Sequence, residues 1–567
     1  MSKEVRTRNG GQIVIDHLRL YGVKRVFMVA GESYLPCIDA LYDHQDAIQA
    51  IACRQEAGAA YMAEAHGKLT GKPGVCFVTR GPGATNASIG VHTAYQDSTP
   101  MILFVGQVDA ETEDRDAFQE IDYRRMFGAV AKWVAQVDCT ERLPEYLARA
   151  FAVAVQGRPG PVVLALPEQV LWGKAAVEDV LPMQAAHPSP MVAELNQMQA
   201  LLDAAKRPFL LLGGNGWRPE ARQTVEAFAE RFQLPVGVGW RRQECFDNRH
   251  PNYAGHVGYG LTPELAQRIT TADLVIALGS RLNQPTTVDY TLLECPQPKQ
   301  KLIHIYPDGN ELGRVYRPTL PILADVHGFA AAVSELQPLN PPDRVQHVRD
   351  AHAHYLNSLE PLSMPGPMNL NEAASIVAKR LPKDACVTAG AGNFALFPHR
   401  YIQFSSPGIQ LSPILGAMGY GLPAAIAAKL EHPEKVVVCY AGDGCFQMNM
   451  QELGTAMQQR LGIVVLLFNN STWGTIRMHQ EREFPGRTIG LGLSNPDFAA
   501  IVRAYGGHGE TVTHTEDFSD AFDRCIAFAE KERLPALIEI QYDVEGITPE
   551  TTLSAIRDTA IALQNVQ

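Results

Sequence analysis

Along the 567-residue chain, short unbroken apolar runs alternate with longer stretches in which apolar positions recur every three or four residues. The runs predict strands buried on both faces, and the longer stretches predict amphipathic helices packed over them. In the first part, to about Leu181, the runs fall at 24–30, 47–53, 74–79 and 100–105, with helical patterns between them. A proline-bearing junction, His187-Pro188-Ser189-Pro190, leads to runs at 208–212, 274–278 and 302–306. A second linker is expected at 339–342, and the loose stretch Ser363-Met364-Pro365-Gly366-Pro367 opens a third segment. The chain therefore reads as α/β, with three doubly wound Rossmann-like domains over 1–181, 190–338 and 366–550. The first and third share their order of strands and helices without a convincing direct repeat.

The third segment carries the most specific signal. Gly442-Asp443-Gly444 directly follows the apolar run 436–441, and Asn469-Asn470 directly follows the run 463–468. Residues 448–460 have helical character, so the unit reads strand, turn, helix, strand, with both polar ends on one edge of a parallel sheet. That edge is where open α/β sheets bind ligands. Magnesium takes hard oxygen ligands, a few from protein and the rest from phosphate and water, and Asp443 and the Asn470 side chain fit. The glycines beside Asp443 let backbone N–H groups approach a phosphate, and the helix that follows directs its positive end toward the same place. A lone Gly-Asp-Gly is a common tight turn. With the flanking strands and the asparagine pair, it predicts a metal-bound diphosphate.

Composition narrows the classes. A net charge of −12 and a pI near 5.8 argue against nucleic acid or an anionic membrane as partner. No apolar stretch is long enough to span a bilayer, and Met1-Ser2-Lys3-Glu4 lacks a signal-peptide core, so a cytoplasmic protein is expected. Ten cysteines occur without a Cys-x-x-Cys, so neither a zinc site nor a disulfide framework is indicated. They read as small core residues, with Cys445, next to the diphosphate loop, as the exception.

The spacing of Asp443 and Asn470 resembles the thiamine-diphosphate motif of pyruvate decarboxylase and acetohydroxyacid synthase, and the resemblance covers nearly the whole chain. It implies a third magnesium ligand, the backbone carbonyl of Thr472, with Trp473, Gly474 and Thr475 continuing the cofactor loop. It also implies a pyrimidine-binding first domain and a diphosphate-binding third domain. In such enzymes a carboxylic acid bonded to N1′ of the pyrimidine generates the imino tautomer that deprotonates thiazolium C2. The matching residue is Glu56, in Cys53-Arg54-Gln55-Glu56-Ala57-Gly58, where simple helix-dipole stabilisation would also place a carboxylate. Gly416-Ala417-Met418-Gly419 resembles the segment that holds the pyrimidine edge and wedges the bent cofactor. Gly392-Asn393-Phe394 falls where a Gly-Gln-His turn usually meets the diphosphate. Arg80-Gly81-Pro82-Gly83-Ala84-Thr85-Asn86 resembles the loop lining the pyrimidine side. Glu56 and Asp443 are then expected from different subunits of a homodimer or a dimer of dimers.

Within the family the first domain looks most like acetohydroxyacid synthase. Gln119 would face the thiazolium and Lys132 lie near the site entrance; a loop glutamine and a surface lysine are the plain alternatives. Glu32, in Ala30-Gly31-Glu32-Ser33-Tyr34-Leu35, handles protons or caps the next helix. Typical acetohydroxyacid synthases carry Arg-Phe-Asp-Asp-Arg after the last central strand, whereas this chain has Arg281-Leu282-Asn283-Gln284-Pro285. Proline in place of the second arginine removes the planar carboxylate clamp. The family's substrate-selecting methionine and tryptophan align with Thr475 and His479, and His479 is a candidate proton relay or a surface histidine. The leading reading is decarboxylation or carboligation of a 2-oxo acid, with an aldehyde as a further substrate. True acetolactate synthase and a non-catalytic paralogue are the alternatives. Gly213-Gly214-Asn215-Gly216 is compatible with FAD, which is not favoured because relatives with an empty or nucleotide-binding central domain share such a turn.

Overall fold

The computed structural model describes residues 6–339 and 342–565, so 340–341 of the expected second linker lie outside the described residues. A short antiparallel ladder joins β1 (Thr7–Asn9) to β8 (Lys174–Ala176). Three six-stranded parallel sheets account for the other strands. The first holds β2 (Arg25–Met28), β3 (Gln49–Ala52), β4 (Gly74–Val78), β5 (Met101–Gln107), β6 (Trp133–Gln136) and β7 (Pro161–Pro167), in the order β3-β2-β4-β5-β7-β6. The second holds β9 (Pro208–Leu212), β10 (Val236–Gly239), β11 (Tyr253–Val257), β12 (Leu274–Leu278), β13 (Lys301–Tyr306) and β14 (Leu320–Leu323), in the order β11-β10-β9-β12-β13-β14. The third holds β15 (Cys386–Ala389), β16 (Gln410–Leu411), β17 (Val437–Gly442), β18 (Val464–Asn469), β19 (His508–Val512) and β20 (Ala536–Gln541), in the order β16-β15-β17-β18-β20-β19. The first and third sheets thus share one strand order, and the second has the order of dinucleotide-binding folds.

The buried runs are apolar on both faces because helices cover both. In the central sheet Leu210, Leu212, Ile276 and Leu278 enter one core, while Phe209, Leu211, Val275 and Ala277 enter the other. This period of two is what a doubly covered strand requires.

By contact the chain forms two units. One comprises residues 6–186 with 422–432 and 449–459; the other contains the remaining described residues, including the second and third sheets. Two pieces of the third segment therefore pack with the first domain, which the sequence pattern does not predict. Arg25 pairs with Glu431 at 2.6 Å and Gln49 bonds to Gln459 at 2.9 Å. No helix among the described residues is long and apolar enough to cross a membrane.

Candidate active site

In the second unit, register builds the site. β17 and β18 pair so that Gly442 lies opposite Phe468, which brings Asp443 beside Asn469 and Asn470 at the carboxyl edge. β15 lies on the other side of β17, and its following loop, Gly390 to Asn393, meets the same place. This is the switch point of the strand order, and a cavity of about 390 Å³ opens there. Phe468, stacked on Phe394 and Tyr440, contributes to its apolar wall.

Asp443 is the only charged side chain lining this cavity among the described residues, and it is 4% exposed. Burial pushes its carboxyl above the ordinary range, opposed by hydrogen bonds from Asn495, Gly444 and Ser471. Oδ1 accepts from Gly444 N at 2.9 Å; Oδ2 accepts from Ser471 N at 3.0 Å and Asn495 Nδ2 at 2.7 Å. A carboxylate has about four acceptor positions, so these three donors leave capacity for a cation. Asn470 and Thr472 border the same cavity. The donor set is oxygen-rich with no lining Lys, Arg or His, which fits a hard divalent ion.

The two asparagines divide their work. Asn469 is buried, donates to Glu539 Oε1 at 2.7 Å and accepts from Ser471 N and Asn495 Nδ2, so it braces the loop. Asn470 accepts from Thr472 N at 3.3 Å and bonds to the Tyr542 side chain. The expected long helix after the motif is corrected: a five-residue helix, Asp443–Gln447, begins at the aspartate itself, and a second, Leu453–Gln458, follows a 3₁₀ turn. One turn supplies N–H groups locally but little macrodipole.

Glycines make room for this loop. A Cβ on Gly444 would lie 2.5 Å from the Trp473 ring, and one on Gly442 2.8 Å from the Phe394 ring. Gly392, at φ 151°, likewise sits against Phe394, which fills apolar space where the resemblance expects a polar contact. Asn393 and Thr475 clasp each other: Asn393 N donates to Thr475 Oγ1, which donates to Asn393 Oδ1, both at 3.0 Å. Gly416 has φ 77°, and Met418 borders the cavity at 39% exposure. Cys445 accepts from Gly419 N at 3.2 Å, which fastens the Met418 segment, and burial pushes its thiol up. Gly474 lies against Ile547 and the Asn470 amide.

In the first unit the end of β3 turns into the helix Glu56–Thr70, which packs by small residues against the helix Gly81–Asp97. The half-buried Glu56 accepts from Asn86 Nδ2 at 2.9 Å through Oε2. Oε1 lies where a Cβ on Gly83 would be 3.6 Å away. Gln119, at φ 65°, accepts from Gly81 N at 3.0 Å through its carbonyl, so Gly81 and Gln119 belong to one loop pair. Gly31 lets the chain approach Thr79 closely. Glu32 is exposed, makes no capping bond and pairs with Arg80 at 3.3 Å, which removes the capping alternative. Lys132 donates to Val153 O and Gln156 O at the end of the helix Leu143–Val155.

His479 is exposed on the helix Gly474–Glu483, its Nδ1 lies 2.6 Å from Arg482 Nη2, and it is not among the residues that line the cavity. Asn495, Tyr542 and Ile547 complete the site without having been foreseen. Asn495 lies in a Ser-Asn-Pro-Asp string that reads as a turn, and the other two follow β20 with no motif around them.

A buried carboxylate, a carboxamide and a glycine-lined backbone at a parallel-sheet switch point are the marks of an α/β enzyme with a ligand site at its carboxyl edge. Three family models match: the thiamine pyrophosphate enzyme N-terminal binding domain over 8–126, the central domain over 195–335 and the C-terminal binding domain over 390–540. Acetolactate synthase isozyme 2 large subunit of Escherichia coli is 32% identical, covering 95% of this chain and 97% of that protein. Isozyme 3 large subunit of the same organism is 32% identical over 95% of both chains, and acetolactate synthase of Arthrospira platensis 32% over 88% and 89%. The chain belongs to the thiamine-diphosphate-dependent enzymes, in the acetolactate-synthase group.

Proposed function

We propose that the protein decarboxylates a 2-oxo acid and joins the resulting acyl unit to an acceptor or releases it as an aldehyde. The observation that carries this reading is Asp443, buried beside Asn470 and Thr472 and, among the described residues, the one charged group lining the cavity at the switch point. Asp443, the Asn470 side chain and the Thr472 carbonyl would hold Mg²⁺, and the Gly392, Gly442 and Gly444 backbone would approach the diphosphate. When bound, thiamine diphosphate supplies an acidic thiazolium C2–H and an electron sink for the broken carbon–carbon bond. Glu56 holds the proton at the pyrimidine N1′, with Asn86 fixing its second oxygen. Met418 orients the ring, and the apolar wall around Phe394 and Phe468 excludes water.

The family supports a homodimer in which Glu56 of one copy serves the cofactor held by Asp443 of its partner. True acetolactate synthase is the second reading, favoured by the named activity of the relatives. Against it, Pro285 supplies no guanidinium, and Arg281 is turned toward Glu311 at 3.4 Å. Carbon-13 NMR of labelled pyruvate with enzyme, Mg²⁺ and cofactor tests both. Acetolactate supports the second reading, acetaldehyde or acetoin the first, and no turnover of pyruvate or larger 2-oxo acids overturns both.

A further inference from the structure

Glu452 is fully buried on the 3₁₀ turn Met450–Glu452, within the stretch of the third segment that packs with the first domain. Its Oε1 accepts from the backbone N–H groups of Arg54 and Gln55, each at 3.0 Å. Its Oε2 accepts from Thr455 Oγ1 at 2.6 Å. These two backbone donors immediately precede Glu56, at the bend where β3 ends and the helix begins. The helix's own cap serves different donors: the Gln55 side chain accepts from Ala57 N and Gly58 N. The bend is therefore held from two sides, one local and one 397 residues away in sequence.

Close packing makes the grip specific. A Cβ on Gly58 would lie 2.6 Å from Glu452 Oε1, so glycine at 58 is what admits the carboxylate. Burial pushes the Glu452 carboxyl up, while the Thr455, Arg54 and Gln55 hydrogen bonds favour the ionised form. A carboxylate with three charge-assisted donors is a stiff anchor, and it fixes the direction in which the next side chain leaves the backbone.

We propose that Glu452 is a positioning residue for Glu56: by clamping the Arg54 and Gln55 amides it sets the angle at which the Glu56 carboxyl is presented to the cofactor's pyrimidine. The inference rests on the assignment of Glu56 to N1′. Misplacement of about 1 Å at a reacting group costs about a hundredfold in rate. A loosened bend thus lowers turnover without touching the metal or diphosphate sites.

The test compares Glu452→Ala, Glu452→Gln and Gly58→Ala with Glu56→Gln in the full-length enzyme. Hydrogen–deuterium exchange of the peptide spanning 50–60 is measured without cofactor, together with cofactor affinity, cofactor C2–H exchange and kcat. Glu452→Ala is expected to lose amide protection at 54–55 and to slow C2–H exchange and kcat by about 10–100-fold, with cofactor affinity and KM kept. Glu452→Gln, whose amide oxygen still accepts, should recover part of both, and Gly58→Ala, which folds around an intact Glu452, should reproduce the loss by displacing it. Lost protection with C2–H exchange and kcat at wild-type level in Glu452→Ala and Gly58→Ala would make Glu452 purely structural and overturn the proposal. Wild-type C2–H exchange in Glu56→Gln would instead sink the underlying assignment, and the proposal with it.

Discussion

Asn495 Nδ2 lies 2.7 Å from Asp443 Oδ2 and 2.8 Å from Asn469 Oδ1, while its own oxygen accepts from Gln447 Nε2 at 3.0 Å. One carboxamide thus ties the candidate metal ligand, the loop brace after β18 and the short helix after β17 into a single network. Removing it leaves the Asp443 carboxylate with only its two backbone donors, Gly444 N and Ser471 N, and takes one donor from the Asn469 oxygen. Asn495→Ala is expected to weaken Mg²⁺-dependent cofactor binding by about 10–100-fold, as loss of a ligand-orienting partner does. Asp443→Ala should abolish metal and cofactor binding together. Titration calorimetry with cofactor at varied Mg²⁺ checks both, and wild-type affinity in either variant would refute that role.

Glu56→Gln keeps the hydrogen bond available to Asn86 but cannot release or hold the proton, so cofactor should bind while C2–H exchange ceases. Mixing this variant with Asp443→Ala also probes the assembly. If the two residues serve one site from different chains, a mixed dimer holds one intact site and regains activity that neither variant has. Failure to regain activity after subunit exchange would argue for sites completed within one chain.

Gly444→Ala places a methyl 2.5 Å from the Trp473 ring, with no slack in a loop already bonded to Asp443. Overpacking of this kind costs about 1–3 kcal/mol and displaces the ring. The expected result is a folded protein with a lower melting temperature and little cofactor affinity. Combining it with Trp473→Val should restore part of the affinity; a double variant no better than the single one would place the defect elsewhere.

The pH dependence of stability should carry the mark of a buried imidazole. His399 is 5% exposed against the edge of Trp240, and neither ring nitrogen has a hydrogen-bond partner among the described residues. Burial, with Arg241 and His256 nearby, holds its pKa well below the ordinary value; burial also brings His256 down to about 4, with Arg400 lowering it further. Unfolded, both bind protons below about 6.5. Between about pH 6.5 and 4 the unfolded chain therefore binds more protons, and stability falls as pH falls, by up to about 1.4 kcal/mol per pH unit for each imidazole. His399→Leu should flatten the slope of denaturant midpoint against pH in that window. An unchanged slope would mean that the ring finds a proton acceptor in the folded state.

The sequence by itself determined the α/β class of the chain and its parallel sheets. Runs such as 208–212 and 274–278 are unbroken, apolar and too short for a helix of ordinary length, so they favour strands buried on both faces, and the structure places β9 and β12 there. Asp443, Asn470 and Glu56 could be picked out as candidates because each sits at a strand end, where local backbone geometry and residue type point to the chemistry proposed for them. What only the tertiary structure decided depends on contacts between distant segments. Asn495 and Glu452 have no local signature; they act by meeting residues 52 and 397–398 positions away, a pairing set by packing. Between the alternatives for His479 and Lys132 the sequence could not choose for the same reason, since a side chain's direction on a helix or loop follows from which neighbours cover it. The grouping of 422–432 and 449–459 with the first domain has that origin too: periodicity reports how a helix is faced, and only burial against particular partners determines which core it joins.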